Sequence, residues 1–340
     1  MFQVGLVGAG FMGQRHAQAY SAIDGVTLCG VYDANTDKAA ELADLYKTQK
    51  FSNFDDMLRN GGGGLDAVDI CLPTHLHKAY VEQALRAGCP VVCEKPMALS
   101  FEDADAMCRL SRELRVPLMI AHCLRFHAAY GALRQILRNE TYGKLHTLCL
   151  YRHTPIPRWS EGQWLHNAEM SGGIAMDLHI HDIDFVLWLL GMPRWVMSKG
   201  DNTCIHTVYG FDGPTVSSEA SWRTQDKFPF NAGYDANFER ATLRYENGNG
   251  NENYTLYTDT QAEAFDPGSL IEPDLYADKD AYVNELAYFV KCVREGRIPD
   301  HSSPEESRDA VVLALAEKES KEQSKRIDIR RRTPCPSFCS

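Results

Sequence analysis

Two short stretches of the chain carry residue types that can move a proton beside a reacting carbon. The first is Glu94-Lys95-Pro96, which follows the apolar run Pro90–Cys93. A lysine at the rim of a crevice loses part of its hydration, which lowers its pKa and makes proton exchange possible near neutrality. Glu94 can pair with that lysine or hold a ribose hydroxyl. On its own, an exposed Glu-Lys pair is ordinarily a solvated surface pair. The second stretch runs from Gly172 to Asp184, GGIAMDLHIHDID. There Asp177, His181 and Asp184 stand at i, i+4 and i+7, and the spacing predicts one face of a helix over Asp177–Leu190. A carboxylate one turn before a histidine fixes its tautomer and raises its basicity, as general-base catalysis requires. The same pair also serves purely structural ends in buried cores. His179 and His181, two apart, point to different sides, so a two-histidine metal clamp is not expected, and no metal site is predicted.

Such groups need a sheet to hold them at one crevice. The chain opens on FQVGLVGAGFMGQRHAQA, an apolar strand, the loop Gly8-x-Gly10-x-x-Gly13 enclosing Phe11 and Met12, and a helix-forming run to Tyr20. In this context Gly8 permits the tight turn, Gly10 lets a pyrophosphate approach the backbone, and Gly13 allows close helix–strand contact. The helix start offers free N–H groups and a partial positive charge to that pyrophosphate. A second strand, Val26–Tyr32, ends at Asp33, where a carboxylate can accept hydrogen bonds from the adenosine ribose of NAD. Ala34, Asn35 and Thr36 offer no arginine for a 2′-phosphate, so NAD is expected over NADP. Asp33 can equally cap the helix Thr36–Tyr46. The apolar run Leu65–Leu72 predicts a parallel strand ending in Pro73, Thr74, His75 and His77. Ligands bind outside the carboxyl ends of such strands, so the Pro-Thr turn is expected to face the cofactor, with His77 at its side and His75 at the surface.

Strands and helices alternate through residue 121, the pattern of a doubly wound parallel sheet. The Ser100 helix opens with a capping-box arrangement to Asp103. Beyond 121 the pattern changes. Leu145–His153 reads as a strand, a loop carries Pro155, Pro157, Trp159 and Trp164, and the stretch from Trp195 to Tyr257 reads as a run of antiparallel strands. The expected fold is therefore α/β: a Rossmann domain over 1–121 and an α+β domain over 122–340 with a large, mostly antiparallel open sheet. Late helices are expected over Ala281–Glu295 and Pro304–Lys321, and a loose tail after Arg330.

The composition fits two such domains. The chain has 340 residues, 44% hydrophobic and 24% charged, as in ordinary globular proteins. Its formal net charge of −11 argues against nucleic acid or an anionic membrane as the main partner. No apolar run reaches the roughly 20 residues of a membrane span, and the N-terminus lacks a basic leader. Eleven scattered cysteines without C-x-x-C spacing read as free thiols of a reducing cytoplasm.

Taken together, GLVGAGFMGQRHA, Asp33, PTHLH, CEKPMA and GGIAMDLHIHDID resemble the Gfo/Idh/MocA oxidoreductase family, from residue 2 to roughly residue 195. The resemblance implies an NAD(P)-dependent dehydrogenase acting on a hydroxyl of a sugar or of a cyclitol such as inositol. It also implies a homodimer or homotetramer built through the C-terminal sheet. Lys95 matches the lysine of the family's E-K-P motif, and Asp177 and His181 match its D-x-x-x-H pair. Pro73, Thr74 and Glu94 match cofactor-contacting positions. Arg125-Phe126 resembles an R-F element near the substrate, although His122-Cys123-Leu124 before it departs from the common pattern. By this reading His181 takes the hydroxyl proton, oriented by Asp177, while Lys95 stabilises the alkoxide; the alternative makes Lys95 the base. Trp159 and Trp164 offer aromatic faces for a polyol or simply fill a core. Arg152, His153, Arg158 and His166 near them keep a phosphorylated or carboxylated sugar open. Two rival functions are an NAD-recycling glycosidase or eliminase, and an NAD-sensing regulator without turnover.

Overall fold

The computed structural model describes residues 1–60, 64–158 and 161–329. Trp159, most of the Gly61–Gly64 loop and the tail from Arg330 lie outside them. In the first half, strands β1 (Phe2–Val7), β2 (Val26–Tyr32), β3 (Gln49–Lys50), β4 (Ala67–Ile70), β5 (Val91–Glu94) and β6 (Leu118–Ala121) form one sheet. Their order is β3-β2-β1-β4-β5-β6, and every pair is parallel. Helices α1 (Phe11–Ser21), α2 (Thr36–Tyr46), α3 (Phe54–Asn60), α4 (His77–Arg86) and α5 (Phe101–Leu114) make the crossovers. β1, β4, β5 and β6 read as near-continuous apolar runs because helices cover both faces of the sheet. Local chemistry sets the helix starts: Asn35 accepts from the Asp37 and Lys38 N–H groups, and Ser100 accepts from the Asp103 N–H. The order reverses between β1 and β4, and the crevice opens there, at the carboxyl ends.

The second half begins with α6 (Ala128–Arg138) and β7 (Leu145–His153). Three helices follow: α7 (Ala168–Ser171), α8 (Ile174–Asp177) and α9 (Ile180–Leu190). Then come β8 (Trp195–Gly200), β9 (Cys204–Gly210), β10 (Thr215–Ser221), β11 (Asn231–Phe238), β12 (Thr242–Gly248), β13 (Asn251–Tyr257) and β14 (Ala262–Ala264). Helices α10 (Ala281–Arg294) and α11 (Pro304–Gln323) and the short β15 (Ile327–Asp328) complete the order. The nine-stranded sheet runs β14-β13-β12-β11-β7-β10-β9-β8-β15. It is antiparallel except where β10 lies parallel to β7. Tyr130 of α6 and Phe185 of α9 meet edge-on at 4.7 Å above Tyr234 and Tyr245 of that sheet. The late helices also return to the first sheet. Leu286, Phe289 and Val290 of α10 share a core with Val4, Leu6 and Ala17, and the Ser302 hydroxyl donates to the Ile120 carbonyl at 2.9 Å.

One expected element is divided. The helix anticipated over Asp177–Leu190 is two, α8 and α9, joined through Leu178 and His179. The His179 N–H reaches back five residues to the Ile174 carbonyl at 2.8 Å, so the turn holds one residue more than an α-helical one. At that turn the His179 ring is buried between Glu317 (2.8 Å) and Ser218 (2.8 Å). That extra residue shifts the phase on which the i, i+4, i+7 reading depended.

Candidate active site

A cavity of about 810 Å³ begins at the glycine loop and runs into the cleft between the two sheets. Gly8 has φ +101°, and a Cβ there would stand 2.4 Å from the Cys71 carbonyl oxygen of the neighbouring strand. A Cβ on Gly13 would stand 1.9 Å from the Gly8 carbonyl oxygen, so α1 can approach the loop only because position 13 has no side chain. A Cβ on Gly10 would meet nothing within 4 Å, so the loop is open toward the cavity there. Phe11 and Met12 line it, and α1 aims its first N–H groups into it. Asp33 closes the far wall, its carboxylate fixed by the Ala9 N–H (2.7 Å) and the Asn35 N–H (2.7 Å). Its remaining lone pairs can accept from a ribose. These residues fit a dinucleotide: open backbone at a helix start for the pyrophosphate, and a fixed acceptor where the adenosine ribose would sit.

On the opposite wall the structure brings together three residues that lie far apart in sequence. The Lys95 ammonium donates to the Asp177 backbone carbonyl at 2.8 Å and lies 3.5 Å from Asp177 Oδ1. His181 lines the same cavity from the first turn of α9. Burial and the nearby cations Lys95 and Arg152 hold its pKa well below the usual imidazole value, so the ring is neutral. Its Nδ1 is buried and has no hydrogen-bond partner among the described residues. The expectation that Asp177 orients His181 is therefore corrected. With the phase shifted at His179, the Asp177 carboxylate faces the lysine instead.

Behind Lys95 lies a buried chain of charge. His16 Nδ1 is 2.8 Å from Asp69, its Nε2 is 3.1 Å from Glu94 Oε1, and Glu94 Oε2 accepts the Lys95 N–H at 2.9 Å. Burial opposes protonation of His16, but Asp69 outweighs it and raises the pKa, so an imidazolium sits between two carboxylates. Asp69 and Cys71 with His16 form a cluster of metal-ligand type, closed by its own hydrogen bonds.

Several expected contacts fall elsewhere. His77 is buried with Nδ1 2.9 Å from the Pro96 carbonyl and Nε2 2.8 Å from the Leu72 carbonyl, tying the two crevice turns together instead of lining the cavity. Thr74 is buried, while His75 is exposed at the surface, as expected, and also borders the cavity. Arg125 is fully buried and forks Asp184 at 2.9 and 2.7 Å, which takes both residues out of the chemistry. His153 pairs with Glu219 on the sheet at 3.2 Å, away from the cavity. Trp164 does line it. Thr154, Trp222, Phe230 and Tyr282 line it without sequence warning. Thr154 and Trp222 follow the carboxyl ends of β7 and β10, which adjoin because that pair is parallel with Ser221 opposite His153. That adjacency is visible only once the sheet order is known.

Comparison with known proteins agrees with this geometry. Residues 2–122 match the model of an oxidoreductase family with an NAD-binding Rossmann fold. Residues 130–249 match the GFO/IDH/MocA C-terminal domain. The chain is 36% identical over 190 residues to the UDP-N-acetylglucosamine 3-dehydrogenase of Acidithiobacillus ferrooxidans, covering 56% of this chain and 54% of that protein. It is 25% identical over 341 residues to the myo-inositol 2-dehydrogenase of Thermotoga maritima, covering 96% and 98%. Its fold superposes with a TM-score of 0.84 on a levoglucosan dehydrogenase solved with NADH and L-sorbose, at 18% identity over 97% of this chain and 99% of that one. The alignment thus spans about half of the first relative and nearly all of the second.

Proposed function

Because the chain belongs to the Gfo/Idh/MocA family of NAD-binding oxidoreductases, we propose that it transfers a hydride between NAD and a secondary hydroxyl or ketone of a neutral sugar or cyclitol. The observation that carries this reading is the convergence of Lys95, Asp177 and His181 on the cavity that starts at the glycine loop. When bound, NAD supplies the hydride acceptor at its nicotinamide carbon. The protein's own residues handle the proton. His181, neutral because it is buried beside cations, is the acceptor for the hydroxyl proton. The Lys95 ammonium, held by Asp177, stabilises negative charge on the substrate oxygen. Asp33 favours NAD, since its carboxylate accepts from a ribose hydroxyl and repels a 2′-phosphate.

Charge narrows the substrate. The second domain's share of the cavity wall includes Thr154, Trp164, Trp222 and Phe230 but, among the described residues, no lysine or arginine. Arg152 is buried and held by Asp182, and Arg158, an exposed side chain beside Asp226, is not among the lining residues, so neither is presented to a phosphate or carboxylate in the cavity. Aromatic faces and a hydroxyl suit the C–H and O–H surfaces of a neutral polyol. The open face of the nine-stranded sheet is the surface we assign to self-association, to be checked by light scattering.

The test is NADH formation at 340 nm across a panel of neutral sugars, glycosides and inositols. Stoichiometric NADH with at least one of them, lost in Lys95→Ala and His181→Ala, is expected. Turnover without net NADH would point instead to a recycled-NAD elimination or hydrolysis, and undiminished rates in both variants would refute the site.

A further inference from the structure

A second cavity, of about 540 Å³, lies on the helical side of the second domain and shares no lining residue with the first. It is a half-open cleft lined by α6, α9, α10 and the segments before α10 and α11. Its floor is Trp188, and the guanidinium of Arg134 stacks over that indole at 4.0 Å. Arg138, one turn further along α6, faces the same space, and Lys291 of α10 stands opposite.

Arg134 is unlike the other arginines buried to a similar or greater degree. Arg125 holds Asp184, Arg152 holds Asp182, and Arg308 holds Asp105 and Asp309. Arg134 is half-buried yet has no carboxylate partner among the described residues. Of the acids lining the cavity, Asp300 accepts from the Tyr288 hydroxyl at 2.6 Å, and Asp274 is an exposed side chain 3.8 Å from Lys291, a loose surface pair that an entering anion can displace. Glu272 remains on the rim near Tyr276. Burial and the flanking Arg138 and Arg125 push the Arg134 pKa down to about 10, and Glu306, which is itself bonded to Arg125, offsets this only in part. Desolvated guanidinium groups in such settings hold oxyanions through paired N–H donors.

We propose that this second cavity binds a small oxyanion, a phosphate ester or a polycarboxylate, between Arg134, Arg138 and Lys291. Its size admits a small metabolite. The site does not depend on the redox reading of the first cavity, because its test reads binding alone.

The experiment is isothermal titration of the whole protein, saturated with NADH, with inorganic phosphate in one arm and citrate in the other. NADH keeps the probes out of the dinucleotide cradle. Saturable one-to-one binding in either arm, with Kd of about 1 mM or tighter, is expected. In Arg134→Gln/Arg138→Gln it should weaken by at least about tenfold. Exposed Arg138→Gln, which leaves the Trp188 stack in place, should lose part of the affinity with an unchanged melting temperature. Stronger binding in the phosphate arm names a phosphate ester, and in the citrate arm a polycarboxylate. Absence of saturable binding in both arms, or affinity unchanged in the double variant, would overturn the proposal.

Discussion

Replacing Asp184 with asparagine separates the sequence spacing from the structure, because spacing puts Asp184 on the reactive face and the structure puts it in a buried ion pair. Asp184 is 1% exposed and Arg125 0%. The substitution keeps the shape and removes the charge that accepts two hydrogen bonds from the guanidinium. Breaking a buried pair from one side costs about 3–5 kcal/mol, since the other charge is left uncompensated. Glu306 and the His301 carbonyl still hold Arg125, so the lower figure, about 3 kcal/mol, applies. At about 2–4 °C per kcal/mol, the melting temperature should fall by about 6–12 °C. The loss should also depend on pH. Burial raises the Asp184 pKa, but Arg125 and His122 more than offset it and hold the carboxyl below its usual range. A depressed carboxyl contributes stability that is complete above its unfolded pKa of about 3.9 and lost as pH falls through the folded value. The gap between wild type and Asp184→Asn should therefore close below about pH 4. Thermal melts from pH 3 to 8, alongside steady-state kinetics, measure both effects. An unchanged melting temperature with a selective loss of kcat would refute the argument and return Asp184 to the chemistry.

Other perturbations bear on separate links. His16→Gln removes the cation between Asp69 and Glu94 and should cost about 3 kcal/mol by chemical denaturation. It should also lower kcat more than it weakens NAD binding, because Glu94 and the Lys95 turn lose their support. Asp33→Ala removes the fixed acceptor at the end of β2 and should weaken NAD by about 1–3 kcal/mol in a fluorescence titration, with NADP less affected. His122 and His301 are both held down to about 4, chiefly by burial. Their unfolded forms take up protons below about pH 6.5, so stability is complete above that value and declines toward pH 4. Replacing either ring by phenylalanine should flatten the decline in that window.

Much of the first domain is legible because its signals are local. The glycine spacing, the strand ending at Asp33 and the Ser100 cap each depend on residues within one turn or loop, and the structure places them as read. Lys95 is legible for the same reason: it follows a strand, and strand ends face the crevice. The partner of Asp177 is less so, because the helix breaks at His179, whose buried partner Glu317 lies 138 positions away and gives no local signal. Arg125 looks like a ligand for substrate because nothing near it in sequence shows that Asp184 and Glu306 neutralise it. His77 fails similarly, since its partners are backbone carbonyls, which carry no sequence signature. Trp222 and Phe230 enter the site through the pairing of β7 with β10 and β11, which composition and periodicity do not specify.

The most direct test of the central claim is a crystal structure of the protein with NAD and a neutral polyol that it turns over. The account predicts that Lys95 Nζ and a nitrogen of His181 both lie within about 3.2 Å of one substrate hydroxyl whose carbon faces the nicotinamide. A substrate oxygen bound away from both residues, with another group in proton-transfer reach, would contradict it.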